Sequence, residues 1–157
     1  MAESWIVRLS ARDIAARVRA KDLSATQVLE AHLDQTAREN PKVNAICTLA
    51  EEKARDQAAE IDAKIAAGAD PGLLAGVPVG IKDVHPTAGI RTTWGSPTMA
   101  DHVPAEDGST VERIKAAGGV VMAKTNTPEY AAGANTYNDV FGATRNPWDL
   151  RMSASGS

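Results

Sequence analysis

Two lysines in this chain stand at the carboxyl ends of short apolar runs. Lys82 follows Gly76-Val77-Pro78-Val79-Gly80-Ile81, six residues without a charge, and precedes Asp83. Lys124 follows Val120-Val121-Met122-Ala123. A lysine recessed at a strand end loses hydration, and burial lowers its pKa from about 10.4 by up to about 3–5 units. A shift of about 3 units corresponds to about 4 kcal/mol and yields a neutral amine able to take a proton near pH 7. The chain also ends in a Gly/Ser run, Ser153-Ala154-Ser155-Gly156-Ser157. Such runs build tight turns around a ligand or a nucleophile. Lysine with serine is a workable pair for nucleophilic catalysis. The plainer reading is a solvated strand-end lysine paired with Asp83 or a neighbour. Lys82, framed by Gly80 and Asp83, is the more unusual of the two.

Helices and strands must position these groups. Ser10 opens a Ser-x-x-Asp pattern before Ile14 and Val18, which predicts a short capped helix. Ser24-Ala25-Thr26-Gln27 is a capping box, with Val28, Leu29, His32 and Leu33 following at helical spacing. That helix is expected to end near Asn40-Pro41, because proline disfavours helix at the residue before it. Thr48-Leu49-Ala50-Glu51 reads as a third capping box. It leads an Ala-rich helix with Ile61 and Ile65 on one face and Gly68 as its C-terminal cap. Ser109-Thr110-Val111-Glu112 opens a helix that stops at Gly118-Gly119. Strand, helix, strand with apolar strands predicts a βαβ unit and a parallel sheet. The expected organisation is one region: a helical lead-in over 1–70, then the start of an α/β core over 71–157.

Composition excludes other classes. Hydrophobic residues make up 43% and charged residues 24% of 157, which is ordinary for a globular domain. The net charge of -3 and the lack of a Lys/Arg-rich face argue against direct nucleic-acid binding. No apolar run approaches the roughly 20 residues of a membrane span, and no secretory leader is visible. Cys47 is the single cysteine, which fits a reducing cytoplasm. His32, His85 and His102 have no metal-ligand spacing with one another or with Cys47, so no metal or cofactor is expected. Homo-oligomerisation is compatible with the sequence.

Four segments together resemble the amidase signature family. They are Gly76-Val77-Pro78-Val79-Gly80-Ile81-Lys82-Asp83, Gly89-Ile90-Arg91-Thr92-Thr93-Trp94-Gly95-Ser96, Lys124-Thr125-Asn126-Thr127-Pro128-Glu129 and Phe141-Gly142-Ala143-Thr144-Arg145-Asn146-Pro147-Trp148-Asp149. They occur in the family's order and spacing. The resemblance implies an incomplete amidase signature fold: N-terminal helices followed by part of a mixed, largely parallel sheet flanked by helices. It also implies hydrolysis of a small-molecule carboxamide by a Ser–cis-Ser–Lys triad. The lysine carries over to Lys82. The bridging cis-serine falls on Ser157, which follows glycine as the family pattern requires. Ser155, the alternative bridge, stands where the family has glycine.

The family's nucleophilic serine and oxyanion-hole amides are expected beyond Ser157. By this reading the chain alone is inactive and depends on the rest of an amidase domain, whose later segments would cover a strand edge and apolar surface. Three readings follow: the N-terminal part of a stand-alone amidase, the ammonia-releasing component of a tRNA-dependent amidotransferase, or a non-catalytic, partner-dependent fragment. Val84-His85-Pro86-Thr87 after Lys82-Asp83 departs from the Asn-Ile pattern of the amidotransferase component and favours the first.

In similar enzymes the stretch holding Tyr130, Ala131 and Asn135 borders the acyl pocket. Tyr130 and Ala131 read equally well as one turn of a packed helix. Asn126 and Thr125 read as loop ties through side-chain-to-backbone bonds. Arg145 reads as a structural ion-pair partner, His85 as a solvated loop residue near the entrance, and Trp94 as packing near the site.

Overall fold

The computed structural model describes residues 5–156. In chain order its helices are α1 (Ala11–Arg19), α2 (Ala25–Val43), α3 (Glu51–Ala66) and α4 (Ser109–Ala116). Its strands are β1 (Ile46–Leu49), β2 (Pro78–Lys82), β3 (Val120–Thr125), β4 (Tyr137–Asn138), β5 (Gly142–Ala143), β6 (Arg145–Asn146) and β7 (Asp149–Ser153). Contacts divide the chain into two interleaved units. One comprises the residues up to Ala37, Ala50–Val79 and Glu112–Met122; the other comprises Arg38–Leu49, Gly80–Val111 and the chain from Ala123.

The first unit is the helical core. Ile14, Ala15 and Val18 of α1, Val28 and Leu29 of α2, and Ala54, Ala58 and Ile61 of α3 are buried. Their helical spacing gives each helix one apolar stripe. Side chains close the starts of α1 and α2 as the sequence predicts, Ser10 Oγ accepting from the Asp13 amide at 3.1 Å. Ser24 Oγ accepts from the Gln27 amide while Gln27 Oε1 accepts from the Ser24 amide, both at 2.9 Å. The Asp62 carboxylate of α3 adds a tertiary cap, taking the Ala25 and Thr26 amides at 2.7 and 3.1 Å. Gly68 follows α3 at φ +74°, the left-handed conformation expected of its C-terminal glycine.

Two sequence expectations fail here. α2 runs through Pro41 to Val43 instead of stopping before it. Asn40 closes the end, its Oδ1 taking the amides of Ala45 and Ile46. Proline here removes one backbone bond and crowds the carbonyl four residues earlier, and these side-chain bonds offset part of that cost. The second failure is at Thr48-Leu49-Ala50-Glu51. Thr48 and Leu49 belong to β1, and α3 starts after Ala50 with no side-chain cap. Pairing with β3 claims this segment, in an antiparallel register of Ile46 with Thr125, Thr48 with Lys124 and Leu49 with Ala123.

The main sheet has the order β1-β3-β2. Beside β3, the Val120 amide bonds Val77 O at one end and the Asp83 amide bonds Thr125 O at the other. The bonds advance in the same chain direction along both strands, so β2 and β3 run parallel, and β1 makes the sheet mixed. β3 is buried from Val120 through Lys124. A parallel strand covered on both faces reads as a continuous apolar run, which is why its sequence shows no alternation. Two small hairpins, β4–β5 and β6–β7, complete the second unit.

Candidate functional site

Lys82 ends β2 and Lys124 is the penultimate residue of the neighbouring parallel β3, yet they occupy opposite faces. A β-carbon built on Gly80 would lie 2.8 Å from Thr125 Cγ2, so Gly80 and Thr125 share a face. By the two-residue repeat of a strand, Lys82 shares that face with Gly80, whereas Ile81 and Lys124 point to the other. Burial agrees: Lys124, Ile81 and Asp83 are buried, Lys82 is half-buried, and Gly80 is exposed.

The deeply buried lysine is therefore Lys124, at 0% exposure, and not Lys82. Its ammonium donates to His85 O at 2.5 Å and to Thr87 Oγ1 and Thr92 Oγ1, each at 2.9 Å. Those are all the donors an ammonium has. Burial lowers the Lys124 pKa to about 8, opposed first by the charge of Asp83. Asp83 is buried beside this cluster. Its Oδ2 accepts from the Thr93 amide at 3.1 Å and from Thr93 Oγ1 at 2.5 Å, while Oδ1 is buried with no hydrogen-bond partner among the described residues. Desolvation raises the Asp83 pKa, partly countered by the Thr93 bonds. Cys47 donates its thiol to Lys124 O at 3.4 Å, and burial first, then the Asp83 charge, push its pKa up to about 12. A thiol held protonated in this way is no nucleophile at neutral pH.

The depressed Lys124 pKa has a testable sign. Unfolded lysine holds its proton to about 10.4, whereas folded Lys124 releases it near 8. Between those values the unfolded chain binds more protons, so stability rises with pH across the window. Denaturant titrations from pH 7 to 10.5 are expected to show wild type gaining on Lys124→Met as pH increases. A constant difference would contradict the burial.

Asn126 is the loop tie that its sequence position suggests. Its Nδ2 donates to Gly142 O and Thr144 Oγ1, each at 3.1 Å, and its Oδ1 accepts from Asn138 Nδ2 at 2.7 Å and from the Thr127 amide at 3.0 Å. Arg145 bonds a backbone carbonyl, Leu150 O at 3.0 Å. The His85 carbonyl, not its ring, is what the Lys124 ammonium engages. Trp94 lies against His102 with ring centroids 5.4 Å apart.

Tyr130 and Ala131 do not form a packed helical turn. Both adopt positive φ, +49° and +60°, and Tyr130 is 57% exposed. Two successive non-glycine residues in the left-handed region are strained, and such strain gathers where function over-determines the backbone. A cavity of about 490 Å³ opens beside them. Asn135 lines it with Glu129, Tyr137 and Asp139, whereas Tyr130 and Ala131 do not.

The chain approaching Ser157 is tied to the same segment. The Gly156 amide donates to Ala134 O at 2.6 Å, Thr136 Oγ1 donates to Gly156 O at 2.8 Å, and Asn135 forms an antiparallel bridge with Ser155. Asn135 and the Gly/Ser run are thus brought together. Ser157 itself lies outside the described residues.

The sequence reading missed the buried cluster of Lys124, Asp83, Thr87, Thr92 and Thr93. Its signal was present as three threonines within eleven residues of the Lys-Asp pair. Among the described residues, no helix is long and apolar enough to cross a membrane.

Comparison with known proteins matches this architecture. The chain is 46% identical over 149 residues to the A component of the glutamyl-tRNA(Gln) amidotransferase of Carboxydothermus hydrogenoformans, covering 95% of this chain and 31% of that one. A bacterial aryl acylamidase of the amidase signature enzymes superposes with a TM-score of 0.89 at 31% identity, covering 95% of this chain and 31% of the other. Fatty acid amide hydrolase superposes with a TM-score of 0.93 at 26% identity, covering all of this chain and 28% of the other. The chain thus spans under a third of the length of these relatives. The amidase family model matches residues 27–157. That match spans most of the chain, and the chain belongs to the amidase family.

Proposed function

We propose that this chain supplies the lysine and the bridging serine for hydrolysis of a small-molecule carboxamide. Lys82 acts as the base. It takes a proton relayed through Ser157 from a nucleophilic serine, which would lie in the remaining two thirds of such a protein. The nucleophile's oxygen then bonds the amide carbon. Lys82 returns the proton through Ser157 to the leaving nitrogen as the C–N bond breaks, giving an acyl-enzyme and ammonia or an amine. Water completes the cycle and releases the acid. An amide is a poor electrophile, so this step needs both an activated oxygen and a protonated leaving group. Serine both accepts and donates, which suits it to a relay. The observation that carries this reading is the position of Lys82. It stands at the carboxyl end of a parallel strand, where ligands gather in α/β sheets. It lies on the face away from Lys124, the face it shares with Gly80 and Thr125.

The relative from Carboxydothermus hydrogenoformans supports a second reading, an ammonia-releasing amidotransferase component working with protein partners. One assay separates the two. The full-length protein is given benzamide, propionamide or glutamine, and ammonia is measured. Release from simple amides by the protein alone supports the stand-alone hydrolase. Release from glutamine only when partner proteins and charged tRNA are added supports the amidotransferase. No ammonia under either condition overturns both.

A further inference from the structure

Loops between strand and helix need something to fix them, and the loop that follows Lys82 has a charge at its centre. The first turn beyond β2 is closed by backbone bonds. The Asp83 amide donates to Thr125 O at 2.9 Å and the His85 amide to Lys82 O at 3.1 Å, while the Trp94 amide donates to Asp83 O at 2.9 Å. Between those closures the Gly89 and Thr92 amides bond Pro104 O and His102 O, each at 2.9 Å, and three further points of the loop meet at one atom. Lys124 Nζ holds His85 O, Thr87 Oγ1 and Thr92 Oγ1. Thr87 Oγ1 in turn donates to His85 O and Thr92 Oγ1 to Ile90 O, each at 3.0 Å. The acceptors come from three separate points of the loop, so a single ammonium cross-links it from within. The ionisable groups around that ammonium are Asp83, Cys47 and Asp107. Asp107 also takes the Ala88 amide at 2.7 Å, securing the loop's far side.

Lys124 has no role open to it as an acid or base towards a ligand. It is fully buried and all three of its N–H groups are committed. We propose that Lys124 is a positioning residue for Lys82: its ammonium is a three-way strut that holds the Asp83–Thr93 loop and so sets the direction in which Lys82 leaves β2. This rests on the reading of Lys82 as the base. The two lysines divide the work between the faces of the sheet, one bracing the loop from the core and the other presenting an amine on the opposite side.

The test uses the full-length protein with benzamide and glutamine as amides, comparing wild type, Lys124→Met, Thr92→Val and Lys82→Ala. Misplacing a reacting group by about 1 Å costs about 10²-fold, so folded Lys124→Met is expected to lose about 10²-fold in kcat with KM little changed. Thr92→Val removes one arm of the strut and is expected to lose about tenfold by the same argument. In both, the limb of the kcat/KM pH profile that follows the base is expected to move, because Lys82 meets a different environment. A merely structural role would lower the melting temperature and leave the profile and the kcat of folded protein unchanged, which would overturn the proposal. If Lys124→Met does not fold, Thr92→Val carries the same comparison. Inactive Lys82→Ala with wild-type kcat and profile in the strut variants overturns the strut alone. Active Lys82→Ala overturns the assignment of the base and the strut with it.

Discussion

Replacing Lys82 by alanine in the full-length protein is expected to abolish amide turnover. Positioned acid–base groups contribute about 10²–10⁴-fold, and removing one member of a nucleophile-activating set costs more, up to about 10⁶-fold in kcat. A fall of at least about 10³-fold in kcat is therefore expected, with KM for the amide changing far less. The fold should persist, because Lys82 is half-buried and opposes the side of the sheet that carries Ile81 and Lys124. Asn126→Ala is the matched control. It deletes four hydrogen bonds from a buried loop tie. It should lower stability while keeping turnover within about tenfold, since its contacts fix a loop and not the base. Ammonia release by both variants, beside their thermal unfolding, decides the matter. Wild-type turnover in Lys82→Ala would refute the mechanism.

The largest effect on stability is expected at Gly118. This residue follows α4 at φ +84°, and its amide donates to Lys115 O while its carbonyl accepts from the Gly76 amide. A β-carbon there would lie 2.0 Å from Pro71 O and 3.1 Å from Pro71 C. Backbone cannot rotate away as a side chain can, so the turn or the Pro71 segment must shift. The strain of a positive φ adds to the clash. Gly118→Ala is expected to lose about 3 kcal/mol or more, equivalent to about 6–12 °C in Tm for a domain of this size. Gly108→Ala makes the comparison, since its β-carbon would meet Pro86 Cδ at an ordinary 3.4 Å. It should stay within about 1 kcal/mol of wild type. Equal melting of the two variants would show that the turn after α4 is not packed as described.

Where charge, caps and apolar spacing act locally, the sequence was a sufficient guide. The Ser24–Gln27 box, the Gly68 cap and the end of β2 at Lys82 all follow from side chains within a few residues, and β3 runs one residue past Lys124. β1 was not legible. Ile46-Cys47-Thr48-Leu49 runs into a capping-box pattern that local reasoning must prefer, and only β3, more than seventy residues away, makes it a strand. The two lysines looked alike because each ends an apolar run. Which one enters the core depends on the parity of its strand, and β3, covered on both faces, shows no alternation from which to read parity. The left-handed pair Tyr130-Ala131 left no trace either, because neither residue type favours that conformation. The two-residue strands β4, β5 and β6 are too short for any period.

Asn44 ends the segment after α2 in a left-handed conformation, φ +52°. Its Nδ2 donates to Phe141 O at 2.7 Å and to Ala143 O at 3.3 Å, and its carbonyl accepts from Thr144 Oγ1 at 2.7 Å. These partners arrive 97 to 100 residues later in the chain. Closing so long a loop is slow relative to forming a helix, and contacts of that sequence separation raise the contact order of the fold. On the ribosome, at about 5–20 residues per second, Asn44 waits about 5–20 s for its partners to be made. The amino-terminal helices can assemble in that interval, but β1 and the loop before it cannot reach their final geometry. Until β3 is made, β1 has no strand to pair with, and its edge stays open in the nascent chain.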